Sequence, residues 1–445
     1  MSRFAYLGGD ALHTGMYVAL IQRLEREGLT VDLVSRIRLS LNPIASGRAW
    51  RGRDRLGPNP VAVVRGQMRG AVHTLPVWAP LPGLSAPALA RALGGCPSDR
   101  RIVLHTRQIV MGRLALALRR RCASVRVIPE LEGDNLAEAR YKHEAIARPS
   151  WLQTLRRRLE ERFYLHYEGK LLRESDAVVC VSRKLKDVMV RRYGLDDAAA
   201  ARIHVFPSVA SRERFAFSPE RRAHRRRALG LDDRLVVIYS GNLAGRWQVP
   251  DKLVRAFGMI RDARPDACFI VLAPEDQWNM IRPHLEAAAL PAGSYRFASA
   301  PHHEIVDWLC AADIGLLLRD RHPMNEVAAP GKFAEYALCG LPIVMTDGIG
   351  DFSDVVRDEP CACVLPGLDD LEASRATIQE FARRDVTQDE RAAFAHWGAE
   401  RFAIELYVPQ LAALYRRLAG EDAGEAPAAV RRTRGAGPGG RSPVE

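Results

Sequence analysis

The stretch APGKFAEYALCGLPIVMTD, Ala329 to Asp347, places Lys332 and Glu335 at the start of an otherwise apolar segment. Pro330 and Gly331 mark a helix start, Gly340 marks its end, and Leu341 to Met345 reads as a short strand. Glu335 then sits one turn into a helix whose N-terminus faces a cleft. A carboxylate there accepts two hydrogen bonds from a vicinal diol such as a ribose. Lys332 meets phosphate as a point charge. Free N–H groups at Ala329 and Gly331 add anion affinity. The set suits a nucleotide diphosphate carrying a sugar. The plain alternative is a Lys/Glu pair that only completes a helix start.

Other stretches offer supporting chemistry. In YSGNLAGRWQ a strand ends at Gly241 and Asn242, with Arg246 following; glycine backbone plus a cation suits phosphate. In YLGGDALHTGMY, Gly8, Gly9 and Gly15 read as a tight βα turn, but their spacing is not the G-x-G-x-x-G of dinucleotide sites. LEGDNLAEARYKHE crowds Glu132, Asp134, Glu138 and Glu144 after a strand. Such carboxylates serve acid–base work, or cap a helix and line a solvated face. His105 and Arg107, ending IVLHTR, are expected to point into the same cleft.

The elements that must position these residues alternate along the chain. FAYLGG, VDLVS, VAVVRG, IVLHTR, VRVIPE, AVVCVS and IHVFPS read as strands, with helices between, including 110–122, 151–173 and 183–193. LVVIYSG, CFIVLAP, YRFAS, IGLLLR and LPIVMT repeat the rhythm, with helices at 251–263, 277–288, 302–311 and 331–338. Strand, helix, strand at this spacing predicts parallel, doubly wound sheets, whose ligands bind at the carboxyl ends of the strands. The expected division is a first domain over 1–208, a linker over 209–230, a second domain over 231–393, helices over 394–420 broken near Pro409, and a disordered tail over 421–445.

A chain of 445 residues with 47% hydrophobic content can bury such cores. The net charge of +12 fits nucleic acid, an anionic membrane or phosphorylated substrates, or only solvated arginine faces. No nucleic-acid motif accompanies it, so nucleic acid is not an expected partner. Eight scattered cysteines, with only Cys361 and Cys363 adjacent as C-x-C, give no metal-ligand pattern and suit a reducing cytoplasm. No run is long enough to span a bilayer, and the N-terminus reads as a strand, not a signal peptide. The helix beginning SWLQTLRRRLEERF carries Trp151, Leu155, Leu159 and Phe163 along one side, beside Arg156–Arg158. It reads either as a core-facing stripe or as an anchor on an anionic membrane.

ESDAVVCVSRKL, IHVFPSVA, LVVIYSGNL, EIVDWLCAADIGLLLRD and PGKFAEYALCGLPIV follow one another in an order that resembles the family-four, retaining, GT-B-fold glycosyltransferases, over about residues 2–418. The bacterial polysaccharide enzymes are the nearest in pattern, through Pro330, Lys332, Phe333, Glu335, Tyr336, Gly340, Leu341 and Pro342. The resemblance implies two Rossmann-like domains facing a cleft, with a C-terminal helix returning to the first. It implies a nucleotide-sugar donor on the second domain, a glycan or polyprenyl-linked acceptor on the first, and no metal or other cofactor. Glu335 matches the glutamate that grips ribose. The family's other glutamate falls at Val327 and is absent, with Glu326 its neighbour. Asn325, Glu326, Val327, Ala328 and Ala329 would then approach the donor sugar through backbone. The family's Arg and Lys fall near Asn242 and Trp247 and are missing. Arg246 and Lys332 are the expected replacements, with Lys252 and Arg319 as further cations. GIGDFSD, with Gly350 and Asp351, resembles a segment beside the donor. The alternatives are a GT-B epimerase or phosphorylase, and a sugar-nucleotide binder without turnover.

Overall fold

A computed structural model describes residues 2–10, 14–38, 66–144, 146 and 148–421. The first sheet has seven strands: β1 (Arg3–Asp10), β2 (Val31–Arg38), β3 (Val72–Val77), β4 (Ile102–Arg107), β5 (Val125–Leu131), β6 (Val178–Cys180) and β7 (Ile203–Val205). The second has six: β8 (Val236–Ser240), β9 (Cys268–Leu272), β10 (Tyr295–Ala298), β11 (Ile314–Leu317), β12 (Ile343–Thr346) and β13 (Ala362–Leu365). Their orders are β3-β2-β1-β4-β5-β6-β7 and β10-β9-β8-β11-β12-β13, and every pairing is parallel. Buried runs such as Val236–Ser240 and Cys268–Leu272 are apolar on both faces because helices cover both sides. Strand order reverses between β1 and β4, and between β8 and β11. A crevice therefore opens at the carboxyl ends of these pairs.

The chain crosses between the sheets twice. Ala210 and Ala403 form a single parallel bridge, with Ala210 N–H donating to Phe402 and Ile404 N–H donating to Ala210. The helix Ile404–Ala419 then returns to the first sheet, burying Leu411, Leu414 and Tyr415 against Phe4, Tyr6 and Ile21.

Several local expectations shift. The last helical region breaks at Ala403, whose extended backbone makes that bridge; Pro409 lies inside the following helix. The stretch 209–230 is not all connector. Pro219–Leu229 forms a helix, capped by Ser218 and closed by left-handed Gly230. Its Arg226 is buried and bonded to Asp313 and to the carbonyls of Ala311 and Arg234. The basic run Arg225–Arg227 is thus partly internal structure. VAVVRG falls mostly on residues outside those described, and the strand β3 lies later, carrying Pro76 where an edge strand tolerates it. The tail beyond Glu421 is also outside the described residues.

Candidate functional site

β8 ends at Ser240 and is followed by Gly241, whose φ is 124°. A Cβ there would sit 2.5 Å from Lys332 Cε, so only glycine lets the lysine pass beneath the strand end. The helix Gly331–Leu338 is held in that place by Tyr336, which is fully buried and whose hydroxyl accepts from Ser240 N–H at 3.0 Å. Its N-terminus has no side-chain cap. Lys332 Nζ donates to Tyr239 Oη at 2.7 Å and to Gln248 Oε1 at 3.1 Å, and lies 3.9 Å from the Tyr239 ring centre. Burial pushes the lysine's pKa well down, and the nearby Arg319 pushes it further. Lys332 is therefore an amine held only by neutral oxygens, and a phosphate oxygen arriving beside it would favour its charged form. Tyr239 and Gln248 were not readable as site residues; only the folded turn brings them to Lys332.

One turn on, the Glu335 carboxylate faces His302 Nε2 at 3.5 Å and is 19% exposed. The Nδ1 of His302 accepts from Arg214 at 2.7 Å. Glu335 thus opens toward the loop after β10, one helix turn from Lys332.

Other candidates fall elsewhere. Arg246 reaches across the cleft, donating to the Tyr141 carbonyl at 3.2 Å with its guanidinium 5.0 Å from the Tyr141 ring centre. It is a bridge to the first-domain helix Asn135–Glu144, not a partner of Lys332 around one diphosphate. Asn242 spends its side chain on its own turn, accepting from Ala244 N–H at 2.6 Å. Asn325 is buried, donating to the Asp320 carbonyl and accepting from Arg319 at 3.1 Å. Glu326 is half-buried and lies 3.8 Å from Arg321. Val327 is 2% exposed, packed with Leu131, Leu172 and Leu185 of the first domain, and its carbonyl accepts from Ser182 Oγ at 2.7 Å. That carbonyl is already engaged, so the expected backbone approach of Val327 to the donor is corrected. Ala328 lies against Gly350, where any Cβ would collide with the Ala328 carbonyl. Ala329 is half-buried between the domains and Pro330 occupies the position just before the helix start at Gly331. Asp351 accepts from Arg183 and Lys184 N–H at 2.7 and 3.2 Å. It caps the first-domain helix Arg183–Tyr193, so GIGDFSD is a joint between domains.

On the first domain the strand ends carry less than expected. Gly8 and Gly9 continue β1 through a register shift between Leu7 and Asp10; they are not the turn. His105 is 1% exposed, its Nδ1 2.7 Å from Tyr415 Oη, on the face covered by the returning helix. Alternation along β4 turns it away from the cleft. Burial lowers its pKa to about 4. Asp134 is buried as a helix cap for Ala137 N–H and pairs bidentately with Arg192. Arg107 and Glu132 remain together as an ion pair at the ends of β4 and β5. Glu130, which accepts from Tyr6 Oη at 2.6 Å, is a partly exposed carboxylate there that the sequence did not single out. Among the described residues no group of three or more His, Cys, Asp or Glu is placed to hold a metal.

Comparison with known proteins converges on one enzyme type. Residues 16–214 match Glycosyltransferase Family 4, and residues 234–383 match Glycosyl transferases group 1. A D-inositol 3-phosphate glycosyltransferase of Streptomyces griseus is 24% identical over 213 residues, covering 42% of this chain and 44% of that protein. A GDP-mannose-dependent alpha-(1-6)-phosphatidylinositol monomannoside mannosyltransferase of Mycolicibacterium smegmatis is 27% identical over 244 residues, covering 52% and 59%. The matched region thus spans about half the length of these relatives. In fold, a glycosyltransferase from Rickettsia africae aligns over 94% of this chain and 99% of its own, with a TM-score of 0.66 and 13% identity. Anabaena Alr3699/HepE, crystallised with UDP, aligns over 93% and 100%, with a TM-score of 0.63 and 13% identity. Two domain families matched in order, on two parallel sheets that close over one cleft, place the chain among the family-four glycosyltransferases of GT-B fold.

Proposed function

We propose that this protein transfers a sugar from a nucleotide-diphosphate donor to a glycan or polyprenyl-linked acceptor, with retention of configuration, in cell-surface polysaccharide or glycolipid synthesis. The observation that carries the reading is Lys332, half-buried beneath Gly241 against neutral partners, with Glu335 one turn away. The lysine meets the diphosphate, and the glutamate accepts from the ribose diol. The acceptor lies against the ends of β4 and β5, near Arg107, Glu130 and Glu132. Attack occurs on the face from which the diphosphate leaves. The departing phosphate takes the acceptor proton, and the protein contributes position and charge stabilisation. Protein cations meet the phosphate charge in this scheme, and no metal is invoked. The relatives' printed activities on inositol phosphate and phosphatidylinositol mannoside acceptors support an acceptor of glycan or lipid type.

The acceptor class also bears on where the enzyme works. No helix among the described residues is long and apolar enough to cross a membrane. The helix Trp151–Glu174, however, leaves Trp151 73%, Leu152 58% and Leu159 58% exposed, with Arg156–Arg158 beside them. That face suits the anionic inner surface of the cell membrane, where a lipid-linked acceptor would meet the first domain of a cytoplasmic enzyme.

The test is a screen of UDP-, GDP- and ADP-sugars by thermal shift, since a bound donor raises apparent stability. NMR of the product from the stabilising donor then reads anomeric configuration. Inverted product would remove retention, and a donor that binds without transfer or hydrolysis would favour a binding protein.

A further inference from the structure

β11 leads directly into an arginine that meets no acid. Arg319 is fixed by its backbone: its N–H donates to Thr346 Oγ1 at 3.0 Å, and the same hydroxyl donates to its carbonyl at 2.9 Å. The residue is 9% exposed. One Nη donates to Asn325 Oδ1 at 3.1 Å, while Nε is enclosed without a hydrogen-bond partner. Buried charges are ordinarily paired or fully bonded. Two other buried arginines, Arg226 and Arg391, obey that rule. Arg226 has Asp313 and three carbonyls, and Arg391 has carbonyls on Nε and both Nη atoms. Arg319 does not. Its neighbour in charge, Lys332, also faces only neutral oxygens. Among the described residues neither has a carboxylate within the 4.0 Å of an ion pair.

This unmatched pair lies where β8 and β11 diverge, next to the glycine turn at Gly241. The remaining cations nearby have other partners. Lys252 lies 3.5 Å from Asp251, and Arg246 bridges to Tyr141. We propose that Arg319 is the second cation of the donor's diphosphate site, acting with Lys332 in the place expected of Arg246. The assignment rests on the donor reading above and names the residue that completes it. An arginine whose backbone is held by Thr346 and whose guanidinium is bonded to Asn325 is placed before the diphosphate arrives. Burial lowers the pKa of Arg319 only to about 10, so it stays charged at neutral pH.

Calorimetry on the full chain tests this with inorganic pyrophosphate, UDP and GDP, and with uridine and guanosine as uncharged probes. Arg319→Gln is expected to lose at least tenfold in affinity for pyrophosphate and for whichever nucleoside diphosphate binds the parent. Nucleoside affinity should stay within twofold, and Arg319→Lys should recover part of the loss. A residue that only braces Asn325 would lower the melting temperature and leave the pyrophosphate affinity alone. That result, or Arg319→Gln binding pyrophosphate within twofold of the parent, overturns the assignment. Should Arg319→Gln fail to fold, Arg319→Lys decides: unchanged diphosphate affinity overturns it, and a loss confined to the phosphorylated probes supports it. If Glu335→Gln weakens the diphosphate ligands and Arg319→Gln does not, only the Arg319 assignment fails. If the parent binds none of the phosphorylated probes, the donor reading fails with it.

Discussion

In the proposed scheme Glu335 and Lys332 share one helix turn but not one task, and kinetics should separate them. Glu335→Gln keeps the shape and removes a charged acceptor. Donor affinity should weaken by about 1.5–3 kcal/mol, the usual worth of a hydrogen bond to a charged group; calorimetry showing unchanged donor binding would remove Glu335 from the site. Lys332→Ala removes charge that acts most strongly as the phosphate departs. Its kcat should fall on the order of a hundredfold or more, with a smaller rise in KM. Arg246→Ala, which breaks a contact to Tyr141 across the cleft, should act mainly on KM. Near-normal turnover of Lys332→Ala at saturating donor would mean the cation lies elsewhere. The placing of Lys332 and Glu335 one turn apart was legible in the sequence because both lie on one short helix whose start and end are marked by Pro330 and Gly340. Asp134 and His105 were misread because their partners are remote. Arg192 is 58 residues from Asp134, and Tyr415 is 310 residues from His105. No local pattern announces either.

The helix Trp151–Glu174 changes character along its length. Its second half packs, burying Glu168, Leu171 and Leu172, with Phe163 and Tyr167 against Arg113. Its first half does not: Leu155 is 46% exposed, in line with Trp151 and Leu159. The sequence left core stripe and membrane anchor open because periodicity shows which residues share a face, not what covers it. Here no described residue buries Trp151, Leu155 or Leu159. Replacing Arg156, Arg157 and Arg158 by Gln should reduce flotation with anionic liposomes, by roughly 1 kcal/mol per charge removed. Leu155→Ser with Leu159→Ser should do the same at all salt concentrations. Neither set should unfold the protein, since exposed substitutions usually lie within about 0.5 kcal/mol. Parent protein that does not float with anionic vesicles at low salt would leave the first domain without a membrane role. The strand pattern of both sheets was readable from apolar runs at their centres. The edge strands β3 and β13 were not, because an edge needs neither length nor continuous hydrophobicity, and β3 even carries Pro76.

At the scale of the molecule, the two domains are tied by the chain's own end. The helix Ile404–Ala419 leaves the second domain at the Ala210–Ala403 bridge and seals the first sheet, with Tyr415 stacked 5.7 Å from Phe4 and bonded to His105. This joint contains a titratable group whose protonation folding opposes. His105 is buried beneath that helix, beside Tyr6 and 3.6 Å from Glu130, with Arg107 adding positive charge. Burial dominates and lowers its pKa from 6.5 to about 4. Above pH 6.5 the imidazole is neutral in both folded and unfolded chains, and its contribution to stability is fully present. As pH falls below 6.5 the unfolded chain takes up the proton first, so stability is lost progressively until the folded chain protonates near 4. A shift of this size corresponds to about 3 kcal/mol over the window, at 1.36 kcal/mol per pH unit. His105→Gln retains a polar partner for Tyr415 and does not titrate. Its stability in urea should fall less steeply than the parent's between pH 6.5 and 4. Carboxylates common to both proteins cancel in that comparison. Parallel curves would mean that the imidazole beneath the returning helix is already charged in the folded state, compensated by Glu130, and that the seal between the C-terminal helix and the first sheet is an ion pair instead of a neutral hydrogen bond.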